Sequence, residues 1–526
     1  MATPNEKLAA SLTTLRELQQ NGQRVLQSRE LTRVHRERLL ENGFLQEVIK
    51  GWLISSSPNA REGDSTPWYA SFWEFCARYC AQRFGEDWHL SPEQSLFLHA
   101  EKTVIPTQAI VNSPRGSNNK VPLLFGTSLY DLKQPQMPPG GDIVQRDGLR
   151  VFAPAAATIR VPEAFFAANP IETQVVLASF RDASELLRRL LDGGHTVVAG
   201  RIAGALRHIG RAEFADEIVT TMKAAGYSVR ENNPFLDRAP SVAAPSVAPI
   251  VGRIRAMWES MRGAVLNIFP PPPGLPQDPG AFLKFIDEIY RADAYHSLSI
   301  EGYSVSVGLI ERVRAGNRDP DRHDDDRQNR DALAARGYWQ AFQTVKANIG
   351  DIIGGANAGA LVRTSHRQWY RGLFQPCVGA GLLSPGALAG YRNDAVYLRT
   401  SRYVPPRWEA VRDAMPALFD LLEQEPEPGV RALLGHWLFG YIHPYPDGNG
   451  RIARFLMNAM LASGGYPWTV IRVEDRNAYL AALDSASVGG GDIRPFAGFI
   501  AERVSWSLED VARGQRRTIA ADRLSP

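Results

Sequence analysis

The stretch YIHPYPDGNGRIARFLMNAML, residues 441–461, sets a histidine, an acid, three small residues and two arginines just ahead of an apolar repeat. The segment before it, RALLGHWLFGYI, is nearly apolar around its whole circumference, as a buried helix is. His443-Pro444 ends that helix, because the residue before proline is driven out of the helical region. Tyr445, Pro446 and Asp447 make a rigid turn, and Gly448, Asn449 and Gly450 lead into a second helix expected to start at Arg451. On it Ile452, Phe455, Leu456, Ala459 and Met460 share one face, and Arg451, Arg454 and Asn458 another.

The chemistry follows from that order. A short glycine-bearing loop entering a helix presents free N–H groups and the positive end of the helix dipole, which together hold a phosphate. Arg451 and Arg454 add fixed positive charge. Asp447 stands where a carboxylate can hold Mg²⁺, a cation that takes one or two carboxylates plus phosphate oxygens. His443 accepts a proton near neutral pH, as a general base must. Such a cluster activates a hydroxyl beside a polyphosphate, which is nucleotidyl or phosphoryl transfer.

HPYPDGNGRIAR also resembles the signature of the Fic (filamentation induced by cAMP) family, His-Pro-Phe-x-Asp/Glu-Gly-Asn-Gly-Arg-x-x-Arg, with Tyr445 in place of the Phe. The likeness runs over roughly 278–505. It implies a mainly α domain, a helical bundle in which GYRNDAVYLRTSRYVPP (390–406) forms a flap β-hairpin that holds a target segment by strand addition. By resemblance, His443 is the catalytic base and Asp447 the Mg²⁺ ligand. Gly448, Asn449 and Gly450 form the anion hole, Arg451 and Arg454 hold the β- and γ-phosphates, and Tyr479 in RNAYLAALDSA lies by the adenine. The implied reaction moves AMP from ATP to a Ser, Thr or Tyr hydroxyl of a target protein. SLSIEGYSV (297–305) matches the family's inhibitory pattern through Ser297, Glu301 and Gly302, so that Glu301 would pair with Arg454 and take the γ-phosphate position. His436 reads as a core histidine.

The rest of the chain bounds this reading. Its 526 residues suffice for roughly three domains. A formal charge of +3 with 44% hydrophobic residues is that of a globular protein without a global field for nucleic acid or membrane. Three cysteines, with Cys76 and Cys80 four apart on one helical face, indicate buried thiols in a reducing compartment. MATPNEKLAASLTTL lacks a signal peptide's basic start and apolar core, and nothing approaches the ~20 apolar residues of a membrane span, so a cytoplasmic protein is expected.

Residues 1–60 read as a winged helix-turn-helix. Leu8, Leu12, Leu15 and Leu18 mark one helix. A second, capped by Ser28 and ending near Gly43, carries Arg29, Arg33, Arg36 and Arg38, and FLQEVIKGWLIS makes two strands around Lys50-Gly51. Over residues 5–235 the layout resembles AbiEi-type antitoxin and regulator proteins, which implies DNA as a partner. GRIAGALRHIGR (200–211) lacks a P-loop ending, and Gly200, Ala203, Gly204 and Ala205 there read as sites of close helix packing. The divisions expected are 1–60 winged helix, 61–235 mixed α/β, 236–277 Pro-rich linker with a helix, 278–505 Fic domain and 506–526 tail. GNRDPDRHDDDRQNRD (316–331), with Asp324, Asp325 and Asp326, reads as a solvated loop. Two other functions stay open: a DNA-binding regulator whose Fic half senses nucleotide, and an enzyme that removes AMP. The oligomeric state is open as well, a homodimer being a form Fic proteins often take.

Overall fold

The computed structural model describes residues 3–20, 22–58, 63–235, 248–315, 330–488 and 491–522. The solvated loop with Asp324–Asp326 therefore falls outside the described residues, as do residues 236–247 of the linker. The chain divides into two units, one of residues 1–253 with 397–404 and one of 254–396 with 405–526.

In the first unit Thr3 closes a capping box on α1 (Pro4–Leu18), where the leucine spacing predicts a helix. β1 (Val25–Gln27) leads through a 3₁₀ turn at Ser28–Glu30 to α2 (Arg33–Glu41). Ser28 does not cap α2; Thr32 does, its side chain accepting the His35 N–H, because the 3₁₀ turn delays the helix. β2 (Leu45–Ile49) and β3 (Trp52–Ser55) form the expected hairpin around Lys50-Gly51, with Gly51 at φ +90°, and β1 joins it in the order β1-β3-β2. Leu15, Leu26, Leu31, Leu39, Leu45 and Leu53 close a small core.

A larger core forms on α3 (Thr66–Phe84), whose Trp68, Phe72, Phe75, Cys76 and Cys80 are buried against the next sheet. Burial pushes both thiols up in pKa, as inert core cysteines require. The sheet runs β4-β5-β7-β6, from β4 (His89–Leu90), β5 (Gln108–Ser113), β6 (Asn119–Pro122) and β7 (Ser128–Lys133), with β5 and β7 parallel. α4 (Pro92–His99) connects β4 to β5, and β8 (Ile143–Arg146) pairs with β9 (Leu149–Phe152). Six helices follow: α5 (Pro154–Arg160), α6 (Glu163–Ala168), α7 (Pro170–Ser179), α8 (Ser184–Gly193), α9 (Thr196–His208) and α10 (Ala212–Ala224). α9 packs on α10, but Gly200 and Gly204 admit the backbone of residues 230–232 and not a helix. A Cβ on Gly200 would lie 2.0 Å from Arg230 O, and one on Gly204 2.2 Å from Asn232 O.

The second unit takes up the chain within α11 (Pro249–Ile268) and is helical: α12 (Pro279–Ile300), α13 (Val307–Arg314), α14 (Arg330–Ile353), α15 (Ala358–Gly379), α16 (Trp408–Gln424), α17 (Pro428–Ile442), α18 (Asn449–Ala462), α19 (Arg476–Val488) and α20 (Arg494–Asp522). No helix among the described residues is long and apolar enough to cross a membrane. α14 and α15 touch backbone to backbone where a Cβ on Gly337 would sit 2.1 Å from Leu373 O. α17 is buried nearly all round, as its composition predicts, and α18 packs against α14, α15 and α17 with Asn449 and every residue from Arg451 to Ala462 buried. The two faces anticipated on α18 are thus both interior.

The flap hairpin is a correction. Residues 390–406 contain no strand. The Arg392 side chain donates to the carbonyls of His443, Asp394 and Pro406, while the Arg402 carbonyl accepts the Ile105 N–H at 2.8 Å. Pro405 and Pro406 lack N–H donors, and Thr400 turns the chain at φ +65°. With these groups committed elsewhere, the two arms have little left to pair with.

Candidate active site

Helix α17 stops at His443, which adopts the left-handed conformation (φ 50°, ψ 60°) as C-cap. Gly448, at φ +80°, is the N-cap of α18, which starts at Asn449 and not at Arg451 as expected. The earlier start has a local cause. Asn449 closes the loop on itself, its Oδ1 accepting the Tyr445 N–H at 2.9 Å and its Nδ2 donating to Tyr445 O at 2.8 Å. Its amide is thereby spent on holding the loop. Phe374 lies under Gly448, where a Cβ would come within 2.8 Å of the ring.

His443 is half-buried, and its Nδ1 lies 3.3 Å from Gly440 O. Burial, helped by the charge of Arg392, lowers its pKa to about 4, so the ring is neutral at pH 7. With Nδ1–H donating to Gly440, Nε2 keeps the lone pair a base needs. Arg392 Nε also donates to the His443 carbonyl at 2.8 Å, and Arg392 N–H to Pro444 O at 2.9 Å, so this arginine fixes the loop from behind. Asp447 is exposed, with Oδ1 accepting the Gly448 N–H at 2.6 Å.

Arg451 is 1% exposed and lies against the Tyr303 and Phe374 rings. Its Nη2 is 3.5 Å from Asp447 Oδ2, and neither Nε nor Nη2 finds a hydrogen-bond acceptor among the described residues. Arg454, also buried, is engaged through Nε and Nη2. Nε donates to Ser297 Oγ at 2.9 Å, and Nη2 donates to Ser297 O at 3.1 Å and to Glu301 Oε1 at 2.7 Å. Burial opposes the Glu301 charge, yet Arg454 and Arg451 together hold its pKa below the usual carboxylate range. Glu301 Oε1 also lies over the start of α18: a Cβ on Gly450 would come within 2.3 Å of it.

The end of α12 accounts for that placement. Gly302, at φ +88°, sends its N–H to Ser299 O while Tyr303 N–H reaches Leu298 O, the Schellman pattern, which leaves Glu301 as C-cap. Arg476 Nε caps the Ile300 carbonyl at 2.8 Å. Ser297 and Glu301 therefore meet Arg454, and Glu301 lies against Gly450, while Gly302 makes the turn that places them. Tyr479 sits deeper. Its ring is 2% exposed, its hydroxyl is 2.6 Å from His436 Nε2, and burial raises its pKa to about 12. His436 is a core histidine, lowered by burial to about 3. Arg392, Tyr303 and Phe374 escaped the sequence reading, since only the tertiary fold brings them to the loop.

The basic row expected on one helix is divided: Arg29 falls in the 3₁₀ turn, and only Arg33, Arg36 and Arg38 lie on α2. Arg29 and Arg33 are exposed, Arg33 pairing with Glu37 at 2.7 Å. Arg36 and Arg38 are half-buried, and Arg38 Nη1 ties α2 to α1 through Lys7 O and Ser11 Oγ.

Residues 360–461 match the model of the Fic/DOC family. The chain is 45% identical over 115 residues to "Protein adenylyltransferase Fic" of Nematostella vectensis, 21% of this chain and 26% of that protein. It is 32% identical over 133 residues to "Protein adenylyltransferase fic-1" of Caenorhabditis elegans, 24% of this chain and 25% of that one. It thus spans about a quarter of the length of these relatives. Among solved structures, C. elegans Fic-1 (aa134–508) aligns with a TM-score of 0.38 at 19% identity, covering 63% of this chain and 93% of that chain. Between residues 360 and 461, on the strength of the sequence match, the chain carries a Fic/DOC domain.

Proposed function

We propose that the chain transfers AMP from ATP to a Ser, Thr or Tyr hydroxyl of a target protein and that Glu301 restrains the reaction. Arg451 carries the reading. It is a buried guanidinium with two nitrogens, Nε and Nη2, lacking an acceptor among the described residues, set in the first turn of α18 just after the loop that begins at His443. A buried cation with unmet donors is costly unless an anion completes it, and a polyphosphate meets both demands. The name protein adenylyltransferase borne by the two relatives agrees with this.

In this reading His443 Nε2 takes the proton of the target hydroxyl, whose oxygen attacks the α-phosphorus. The bond from that phosphorus to the bridging β-oxygen breaks, and pyrophosphate leaves. The N–H groups of Asn449 and Gly450 and the two arginines take up the charge that develops. Mg²⁺ fits as a companion of the nucleotide. Asp447 is the exposed carboxylate at the loop, and no set of three or more His, Cys, Asp or Glu able to hold a metal exists among the described residues. When bound there the ion supplies charge to the leaving pyrophosphate.

Glu301 bears on this site through Arg454. The carboxylate and a γ-phosphate compete for one guanidinium, and two anions there repel. ATP bound with its γ-phosphate displaced leaves the α-phosphorus out of line, and ~1 Å of misplacement costs about 10²-fold. Incubation with α-labelled ATP should show Glu301→Gly modifying itself and other proteins well above the wild type, with Arg454→Ala cancelling the gain. Equal labelling of wild type and Glu301→Gly would refute the restraint. Loss of AMP removal in Glu301→Gly would turn the reading toward the reverse reaction.

A further inference from the structure

A concavity is bordered by the 390–393 segment. It has a volume of about 670 Å³, and Arg363, Arg367, Tyr391, Asn393, Arg412 and Phe419 are among the residues that line it. That is the size of a ligand site. Its lining contains no carboxylate. Arg363 is already neutralised, its Nε on Glu423 and its Nη2 on Asp420 at 2.6 Å. Arg367 and Arg412 are not. Both are exposed, Arg367 stacked over Tyr391 at 4.9 Å and Arg412 over Trp408 at 5.0 Å, and among the described residues neither pairs with an acid. Arg412 Nη2 donates to Asn393 Oδ1, which holds it at the rim.

The cavity adjoins the loop that bears His443. Residues 390, 391 and 393 line it, whereas Arg392 between them reaches away to the carbonyls of His443 and Pro406. Tyr391 also packs on Tyr445, with ring centroids 5.5 Å apart. A chain seated in the cavity would therefore run within one residue of the backbone that fixes the base. Arg367 lies over the Tyr391 ring, and the Tyr391 hydroxyl is 2.8 Å from His366 Nε2, so a planar base would have to compete with a guanidinium for that ring. Two unpaired guanidinium groups call instead for carboxylates on a flexible chain.

We propose that this cavity docks an acidic segment of the target protein, with glutamate or aspartate side chains on Arg367 and Arg412. The proposal rests on the AMP-transfer reading for what is docked, but its test reads binding separately. Two fluorescein-labelled 12-residue peptides, each with one central tyrosine, would be titrated into the full-length protein by anisotropy. One carries flanking glutamates and the other flanking glutamines. The acidic peptide should bind at least tenfold tighter, with the preference shrinking as salt rises. Arg367→Glu/Arg412→Glu should abolish the preference at an unchanged melting temperature, and Arg367→Gln/Arg412→Gln should reduce it. In the Glu301→Gly background the same pair should raise KM for the acidic peptide while self-modification persists. Equal binding of the two peptides, or a preference that survives charge reversal, would overturn the docking site. Binding of the acidic peptide that ATP displaces would also overturn it by moving the peptide to the nucleotide site. Preferential binding without any transfer would defeat the AMP-transfer reading and leave the acidic-segment site standing.

Discussion

At Tyr445 the ring stacks on Tyr370 with centroids 4.0 Å apart, and its buried hydroxyl meets no hydrogen-bond partner among the described residues. An unmet buried hydroxyl costs about 1–3 kcal/mol. Tyr445→Phe, the residue the motif leads one to expect, should therefore raise stability by about 1 kcal/mol in urea titrations and leave transfer unchanged. His443 allows a sharper test. Its proton-accepting form is the neutral ring, and burial has moved the pKa down to about 4. The active form thus prevails above that pH and is lost as pH falls through it. In the Glu301→Gly protein kcat/KM should stay flat from pH 8 down to pH 6, a range in which an ordinary histidine near 6.5 would already titrate. Removing Glu301 strengthens the effect, because its negative charge raises the His443 pKa. His443→Ala should lower transfer by about 10²–10⁴-fold while ATP affinity persists. An acid limb centred near 6.5 would contradict the environment described for this ring.

At the scale of elements, the end of α12 and the start of α18 form one device. Gly302 holds a left-handed C′ position that places Glu301 against Arg454, and a Cβ there would meet nothing within 4 Å. Alanine there meets no clash but pays the left-handed penalty of roughly 1–2 kcal/mol. Gly302→Ala should unfold at a lower temperature, and its transfer activity should fall between wild type and Glu301→Gly, because the helix end no longer fixes the carboxylate. Activity equal to wild type would show that Glu301 is held by its ion pair alone. The turn itself was readable in the sequence, since glycine after a helix is a local signal. The same holds for the hairpin at Lys50-Gly51 and for the stop at His443-Pro444. The cap at Thr32 was not, because nothing local announces that Ser28–Glu30 would close a 3₁₀ turn first.

On the scale of the whole molecule, residues 397–404 leave the C-terminal half of the sequence to complete the N-terminal unit. Arg402 exchanges hydrogen bonds with Ile105, N–H to O at 2.8 Å and Nη1 to O at 3.1 Å, and Val404 packs on the core around α3. A fragment ending at residue 235 lacks these contacts, so tests of DNA binding belong on the full chain. Val404→Asp would place a charge against that core, at roughly 1–3 kcal/mol. Hydrogen exchange should then quicken in α3, β5 and β7 while α18 keeps its protection. Unchanged exchange in α3 would mean that the 397–404 segment adds nothing to the unit.

What the sequence by itself determined is what short-range physics controls. The apolar circumference of 431–442 makes a buried helix, proline and glycine set the loop at 444–450, and leucine spacing marks α1. The chemistry of the loop was legible for the same reason, as His443, Asp447 and Arg451 lie within nine residues. The pairing of Glu301 with Arg454 came from resemblance, since no periodicity links residues 153 apart. Tertiary structure alone decided that Arg451 is buried with donors unmet, that Arg392 grips the His443 carbonyl, and that 390–406 forms no hairpin. Each depends on which distant backbone groups and rings come to lie beside the residue. A guanidinium has the same identity on a surface or in a core, and only the packing around it decides whether its charge is solvated, paired or left for an anion.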